Sequence, residues 1–398
     1  MLVQHSQGAD LPDVYPEVPW VSMVKDGSLD GWKQMGGLAR YDLKKDGTIV
    51  GQARQNTPNS FLTTEKYVGD FVLEYEFKVD PRLNSGVQIR SNSIPDYKNG
   101  QVHGYQVEID PDMERARLWT AGIYDEGRRG WLNDLKENDA ARAAFKPNVW
   151  NHIRVVTEGP RIRTWINGVP AADLVDSMTM SGFIGLQVHG IGKNPEREGA
   201  EVAWRKLRIK DLGIREWQPL FNGKDFSGWK TLPGGEWKME DGVIRGLSPA
   251  SEKRHGILLS EKTFKDFTVR AKFKVEKGDS GFYWHAQPVA SGVSVSGFQV
   301  EVDSSFETGG LYETGGRAWV VLPDPAHIEK QAKYRPGEWT DLSMVVQGSN
   351  AWVFINGSES ARLTNDTKGN DEGHFGLQLH GGMDMDVSFK DLEILESE

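Results

Sequence analysis

Gly104-Tyr105-Gln106-Val107-Glu108-Ile109-Asp110 (GYQVEID) returns 193 positions later as Gly297-Phe298-Gln299-Val300-Glu301-Val302-Asp303 (GFQVEVD). Each run alternates polar and apolar residues with a period of two, the pattern of a β-strand with one face in a core. Tyr105, Val107 and Ile109 take one face; Gln106, Glu108 and Asp110 take the other. Outward from this pair the two halves of the chain keep matching. SLDGWK answers DFSGWK, NSGVQIR answers DSGFYWH, and GIYDEGRRGWL answers GLYETGGRAWV. FKPNVW then answers YRPGEW, WING answers FING, and GLQVHG answers GLQLHG. The order never changes, and the separation drifts only from 188 (Gly122 to Gly310) to 197 (Trp32 to Trp229). The chain is therefore a tandem duplication, with expected domains 15–213 and 214–398; a period this long is not that of a solenoid.

Within each copy short runs rich in Val, Ile, Phe, Trp and Thr dominate, as in Phe71 to Val79. Ile153 to Trp165, broken at Glu158-Gly159-Pro160, reads as a hairpin, and Asn167-Gly168 and Asn356-Gly357 are strong hairpin turns. Helix is confined to Asn138–Phe145 and to a segment capped by Asp324, with Pro325 at its first position, running to Lys333. Many strands and one short helix per copy predict an all-β protein made of two β-sandwiches.

The 398 residues suit two or three domains, and a net charge of −10 argues against a nucleic-acid partner. Cysteine is absent, which excludes disulfides, thiolate nucleophiles and Cys-type metal sites. No run approaches the ~18 apolar residues of a membrane span. The first twenty residues lack the basic start and apolar run of a signal peptide, and Pro12, Pro16 and Pro19 predict an extended lead-in. Fourteen Trp and ten Tyr, many beside Gly, supply flat surface that suits sugars as well as a core.

Three strands of the first copy put polar residues on one face: Gln88 and Arg90; Gln106, Glu108 and Asp110; Gln187 and His189. The second copy repeats this with Gln299, Glu301 and Asp303, then Gln378 and His380, but has Tyr283 and His285 where Gln88 and Arg90 stood. A solvated sheet face accounts for polar residues without any function. This face is rich in amides, carboxylates, Arg and His instead of Lys, Thr and Ser, and it survives in both copies. A curved sheet carrying it forms a groove for a polyol, in which bidentate groups pair with adjacent hydroxyls. A second cluster, Tyr124 to Trp131, joins glycines, charges and aromatics; its counterparts include Tyr312, Glu313, Arg317 and Trp319. Asp110, Asp112 and Glu114 have oxygen ligands for Ca²⁺ within reach, although Asp110-Pro111-Asp112 is more simply a turn. No other cofactor is expected.

NSGVQIR, HGYQVEID, GIYDEGRRGWL, FIGLQVHG and the closing WRKLRIKDL resemble the 3-keto-disaccharide hydrolase domain, formerly a domain of unknown function, and LFNGKDFSGW opens the second copy as that family opens. The resemblance covers nearly the whole chain, once per copy. It implies a concanavalin A-like jelly roll, export to the bacterial periplasm or beyond, and action on glycosides oxidised at C3. A C3 ketone acidifies the C2 proton. Its removal by a base gives an enediolate, the C1 group leaves by β-elimination, and water adds back. In that scheme Glu108 or His189 is the base, and Asp110 or Glu126 protonates the leaving group. Arg90 and Arg129 hold the oxyanion, and Gln88, Gln106, Gln187, Tyr124 and Trp131 bind the sugar. The second copy has His285 for Arg90 and Thr314 for Glu126, so the first copy is the expected catalyst. The chemistry implies a sugar 3-oxidoreductase as a partner that makes the substrate.

Two rivals stand beside this reading. The spacing of Glu108, Asp110 and Glu114 loosely resembles the carboxylate strand of jelly-roll glucanases, which hydrolyse directly between two carboxyl groups ~5–5.5 Å apart. The third reading is a carbohydrate-binding protein without catalysis.

Overall fold

A computed structural model describes residues 11–25, 27–112, 117–289 and 294–396. The first ten residues and Glu114, the third candidate calcium ligand, lie outside the described residues. The chain divides into two compact units, Met1–Arg215 and Glu216–Glu398.

Each unit is a jelly-roll sandwich of two antiparallel sheets. In the first, the front sheet orders its strands Gly130–Asn133, Ile123–Glu126, His103–Ile109, Ser85–Asn92, Phe183–Val188, Ser60–Thr64 and Trp32–Gly36. The back sheet runs Val169–Val175, Arg161–Ile166, Asn151–Glu158, Asp70–Val79, Glu201–Gly213, Ile49–Gln52 and Arg40–Leu43, with Val21–Ser22 pairing to Glu201–Gly213. The second unit repeats the order. Its front sheet runs Trp229–Leu232, Gly256–Phe264, Gly373–Leu379, Asp279–Pro288, Val295–Asp303, Leu311–Thr314 and Ala318–Val321. Among the described residues no helix is long and apolar enough to cross a membrane.

The period-two pattern decides which side chains fill the sandwich. Phe71, Leu73, Tyr75 and Phe77 of the back sheet meet Val87, Ile89, Tyr105, Val107, Ile109, Leu186 and Val188 of the front sheet in one core. Each such side chain contributes about 1.5–3 kcal/mol when removed from water. Turns follow local chemistry. Asn167 and Asn356 hold φ of 48° and 49°, each followed by a glycine also at positive φ, so both Asn-Gly pairs make tight hairpins. The loop Gly159-Pro160 joins Glu158 to Arg161. The helices span Asp139–Ala144 and Pro325–Lys330, capped by Asn138 and Asp324. The second stops three residues before Lys333, which turns to a φ of 54° and cannot continue a right-handed helix. Trp32 and Trp229 anchor the two openings, each indole donating 2.9 Å to a carbonyl, of Met23 and Leu220.

Candidate carbohydrate groove

The register of the front sheet sets the polar residues in rows. Tyr124 pairs with Gln106 and Gln106 with Gln88; in the next row Glu108 pairs with Gly86 and Gly86 with Gln187. Gly86 is required there, because a Cβ would stand 2.4 Å from Cδ of Gln106, which lies across it. Gly281 does the same for Gln299, whose Oε1 would meet a Cβ at 2.8 Å. The sheet curls strongly. Asn59, just before the strand Ser60–Thr64, donates to Oε1 of Glu126 at 3.3 Å, although that strand lies four places away from Ile123–Glu126. The face is therefore not a solvated surface: Gln88, Gln106, Glu108, Asp110 and Gln187 are all buried.

Glu108 lies at the centre of this groove. Its Oε1 accepts from Asn84 at 2.6 Å and its Oε2 from Gln106 at 2.7 Å. Burial pushes its pKa up to about 7; the two amide donors pull against that, and the charges of Asp110 and Glu126 add to it. Burial also raises the pKa of Glu126, opposed by Asn59 and Gln187. Gln187 is itself fully buried, its amide near enough to Glu126 to lower that carboxyl's pKa but outside good hydrogen-bond geometry. His189 directly follows the strand that carries Gln187, at the exposed rim, with Nδ1 2.8 Å from the Gly190 carbonyl. Burial of the ring's inner side lowers its pKa, opposed by the Gly190 carbonyl. Asn59 also accepts from the Gly190 amide at 2.9 Å, tying that turn to Glu126. At the other edge Tyr124 and Trp131 meet edge to face with centroids 5.3 Å apart, and Arg117 lies over Trp131 and Trp119. Asp110 is paired with Arg117 at 3.1 Å.

Two arginines expected in the groove are elsewhere. Arg90 sits on a bulge with φ of 46°, where pairing skips from Ile89–Tyr105 to Asn92–His103. The extra residue breaks the alternation and sends the side chain to the end of the sandwich. There it donates to the carbonyls of Gly69 and Gly159 and pairs with Asp70 at 2.7 Å, fully buried. It ties the two sheets together and holds no oxyanion. Arg129 is likewise committed, to Asp125 and, at 2.8 Å, to Asp176. Asp125 is on the face of its strand opposite Tyr124 and Glu126, and its other partner is Arg128.

The second unit keeps the scaffold and changes the groove. His285 has the same bulge, at φ of 49°, and holds the sheets through the carbonyls of Lys265 and Asn370, each at 2.8 Å. Arg317 is clamped by Glu313 and by Asp366, as Arg129 is by its two aspartates. In the groove Gln299 donates to Glu301, but Asp279 replaces Asn84. Burial and the neighbouring Asp279 push Glu301 up to about 8. Tyr283 fills the place of Gln88; its hydroxyl is 2.8 Å from Oγ1 of Thr314 and accepts from Gln378 at 3.0 Å. Asp303 is held by Thr308 and Ser305. His380 repeats His189, its Nδ1 2.9 Å from the Gly381 carbonyl, and packs edge to face on His255, which stands where Asn59 does.

Asn84 and Asn59 touch the two groove carboxylates of the first unit, and sequence reading assigned neither. Asn84 opens the run NSGVQIR, in phase with Gly86 and Gln88 at a period of two, and that spacing places it on the same face. Asn59 carries no pattern of its own; its neighbour across the groove is set only by the curl. Among the described residues no group of three or more His, Cys, Asp or Glu side chains is placed to hold a metal ion.

A family model described as the 3-keto-alpha-glucoside-1,2-lyase-like domain matches residues 19–210 and again 216–395. No curated protein matches the chain. Among solved structures the chain is similar to a candidate glycosyl hydrolase of Parabacteroides distasonis at 21% identity, over 46% of this chain and 94% of that one, with a TM-score of 0.36. It is similar to the carbohydrate-binding module CBM66 of Bacillus subtilis at 17% identity, over 43% of this chain and 96% of that one, with a TM-score of 0.33. A Bacillus subtilis protein with a galectin-like fold matches at 14% identity, over 46% and 94%, with a TM-score of 0.35.

Proposed function

Because the chain belongs, through both of its units, to the family of 3-keto-alpha-glucoside-1,2-lyase-like domains, we propose that the groove of the first unit binds a glycoside oxidised at C3 and cleaves it by elimination. The observation that carries this reading is Glu108, a buried carboxyl whose pKa of about 7 suits proton transfer at neutral pH, with the carboxyl of Glu126 on the same groove. Glu108 takes the C2 proton. The C2–H electron pair forms a C2–C3 double bond and the charge moves to the C3 oxygen; as the ketone re-forms, that pair makes the C1–C2 double bond, the C1–O bond breaks, and the leaving oxygen takes a proton from Glu126, whose pKa burial raises. With Arg90 and Arg129 tied into the scaffold, the charge that develops on the C3 oxygen falls to a neutral donor, the buried Nε2 of Gln187 beside Glu126. Water adds at C1 to complete a net hydrolysis. His189 is the alternative base from the rim. The substrate requires a sugar 3-oxidoreductase to supply it, and the family's export implies a periplasmic or secreted site.

A second reading applies to the second unit: carbohydrate binding without cleavage. It rests on the loss of Glu126 to Thr314 and the closing of that space by the Tyr283 hydroxyl.

The test is turnover of a 3-keto-disaccharide beside its unoxidised parent, with deuterium at C2. The expected result is cleavage of the oxidised sugar alone, slowed by the label or with loss of label to water. Equal cleavage of both sugars with the label retained would favour direct displacement. No cleavage of either would leave a binding protein.

A further inference from the structure

Glu108 ends a directed line of hydrogen bonds. The Ser91 hydroxyl donates to Oε1 of Gln88 at 2.7 Å; Nε2 of Gln88 donates to Oε1 of Gln106 at 2.6 Å; Nε2 of Gln106 donates to Oε2 of Glu108 at 2.7 Å. Asn84 closes on the other oxygen at 2.6 Å. Ser91, Gln88, Gln106 and Glu108 are all buried, so water does not substitute for a missing link. The polarity of the line follows from its end. An ionised carboxylate only accepts, so Gln106 must turn its NH₂ to Glu108, its carbonyl must then accept from Gln88, and the carbonyl of Gln88 is left for the one proton of Ser91. Ser91 also has the carbonyls of Ile89 and Tyr105 within 3.1 and 3.3 Å, longer than its contact to Gln88.

We infer that Ser91, Gln88 and Asn84 are positioning residues, which hold the Glu108 carboxylate in one orientation between two neutral donors and so set the pH range in which it takes a proton. Gln88, which sequence reading placed against the sugar, thereby acts through Glu108. The inference rests on the reading that Glu108 is the base.

The second unit is the same sheet with the line removed. Ala286 stands for Ser91, Tyr283 for Gln88 and Asp279 for Asn84. There Oε1 of Gln299 is buried without a partner, and the facing group is a second carboxyl in place of an amide donor. The charged and titratable groups that face Glu108 from its own and neighbouring strands are Asp110, Glu126 and the Tyr124 hydroxyl. None of these takes part in the line, so each of its members can be changed without altering the local charge.

The experiment uses the full chain with Ser91→Ala, Gln88→Met and, as the conservative control, Ser91→Thr. Two readouts are taken: the pH profile of kcat and KM on a 3-keto-disaccharide, and the titration of the Glu108 carboxyl by ¹³C NMR, assigned with Glu108→Gln. Unchanged circular dichroism and melting show that each variant folds. Loss of the line moves the Glu108 titration and the acidic limb of kcat upward by about one pH unit, which is about tenfold in kcat below the limb. KM stays within twofold, and Ser91→Thr restores the parent values. A titration unmoved in both Ser91→Ala and Gln88→Met overturns the inference. A titration that moves while Glu108→Gln remains fully active leaves the line in place and overturns the assignment of Glu108 as base.

Discussion

Each groove has the same strand order, a bulge and a glycine, and besides Asn59 and His255 the two part at four facing positions. Asn84, Gln88, Ser91 and Glu126 in the first unit are Asp279, Tyr283, Ala286 and Thr314 in the second. The parts that hold the sandwich are kept in kind: a bulged nitrogen-bearing side chain that reaches backbone carbonyls, and an arginine between two carboxylates. Duplication has thus preserved the residues that position the groove and released those that set its proton chemistry. In the first unit Glu108 has donors on both oxygens and a second carboxyl across the groove. In the second, Glu301 has one amide donor and a carboxyl beside it, so the pair is comfortable only with a proton between them.

The largest expected effect separates the units by activity. Glu108→Gln removes the base and lowers turnover by ~10²–10⁴, whereas Glu301→Gln changes it less than about threefold. Steady-state rates on one 3-keto-disaccharide, with both variants in the same chain, measure this directly. Equal losses would mean that the four differences do not divide the labour.

A stability experiment comes next. Arg90 pairs with Asp70 where both are buried, so Arg90→Met leaves two carbonyls without their donor and takes one of three donors from Asp70, which keeps Arg215 and the Gly159 amide, and costs about 2–4 kcal/mol in the first unit. His285→Met removes a partner of two carbonyls only and costs about 1–3 kcal/mol in the second. Urea unfolding of the full chain, with a tryptophan probe kept in each unit, resolves the two. A smaller loss for Arg90→Met than for His285→Met would contradict the bridging role.

The alternation in GYQVEID, NSGVQIR and GLQVHG was legible because a strand with a buried face must repeat every two residues, and the core lists Val87, Val107 and Leu186 where that rule puts them. Arg90 was misplaced by the same rule. Nothing in NSGVQIR marks the bulge, and one extra residue moves a side chain from the groove to the end of the sandwich. Arg129 was misread for another reason: its partner Asp176 is 47 positions away, and only the folded sheet shows that the charge is already spent. Burial of the groove was hidden too. Polar residues facing away from a core normally meet water, whereas here the sheet curls until Asn59 reaches Glu126 and the residues between are buried.

The smallest effect tests the carboxyl pair that distinguishes the second unit. The folded-state pKa of Glu301, about 8, lies above its ordinary value near 4.5, and that of Asp279 is also raised by burial and by Asp303. A carboxyl whose pKa rises on folding binds its proton more tightly in the native state. Its contribution therefore turns unfavourable as pH climbs through the unfolded pKa, and reaches its full cost above the folded one. Stability of the second unit should fall between about pH 5 and pH 8. Asp279→Asn restores the amide that the first unit has at Asn84, removes the like charge and supplies a donor to Glu301. It should leave stability at pH 5 nearly unchanged and raise it by about 1–3 kcal/mol at pH 8, read as the urea midpoint of the second unit at the two pH values. The reverse change, Asn84→Asp, should steepen the downward slope that Glu108, raised to about 7, already gives the first unit, and carry it to higher pH. If Asp279→Asn stabilises equally at both pH values, the gain comes from packing and the two carboxyls do not share a proton.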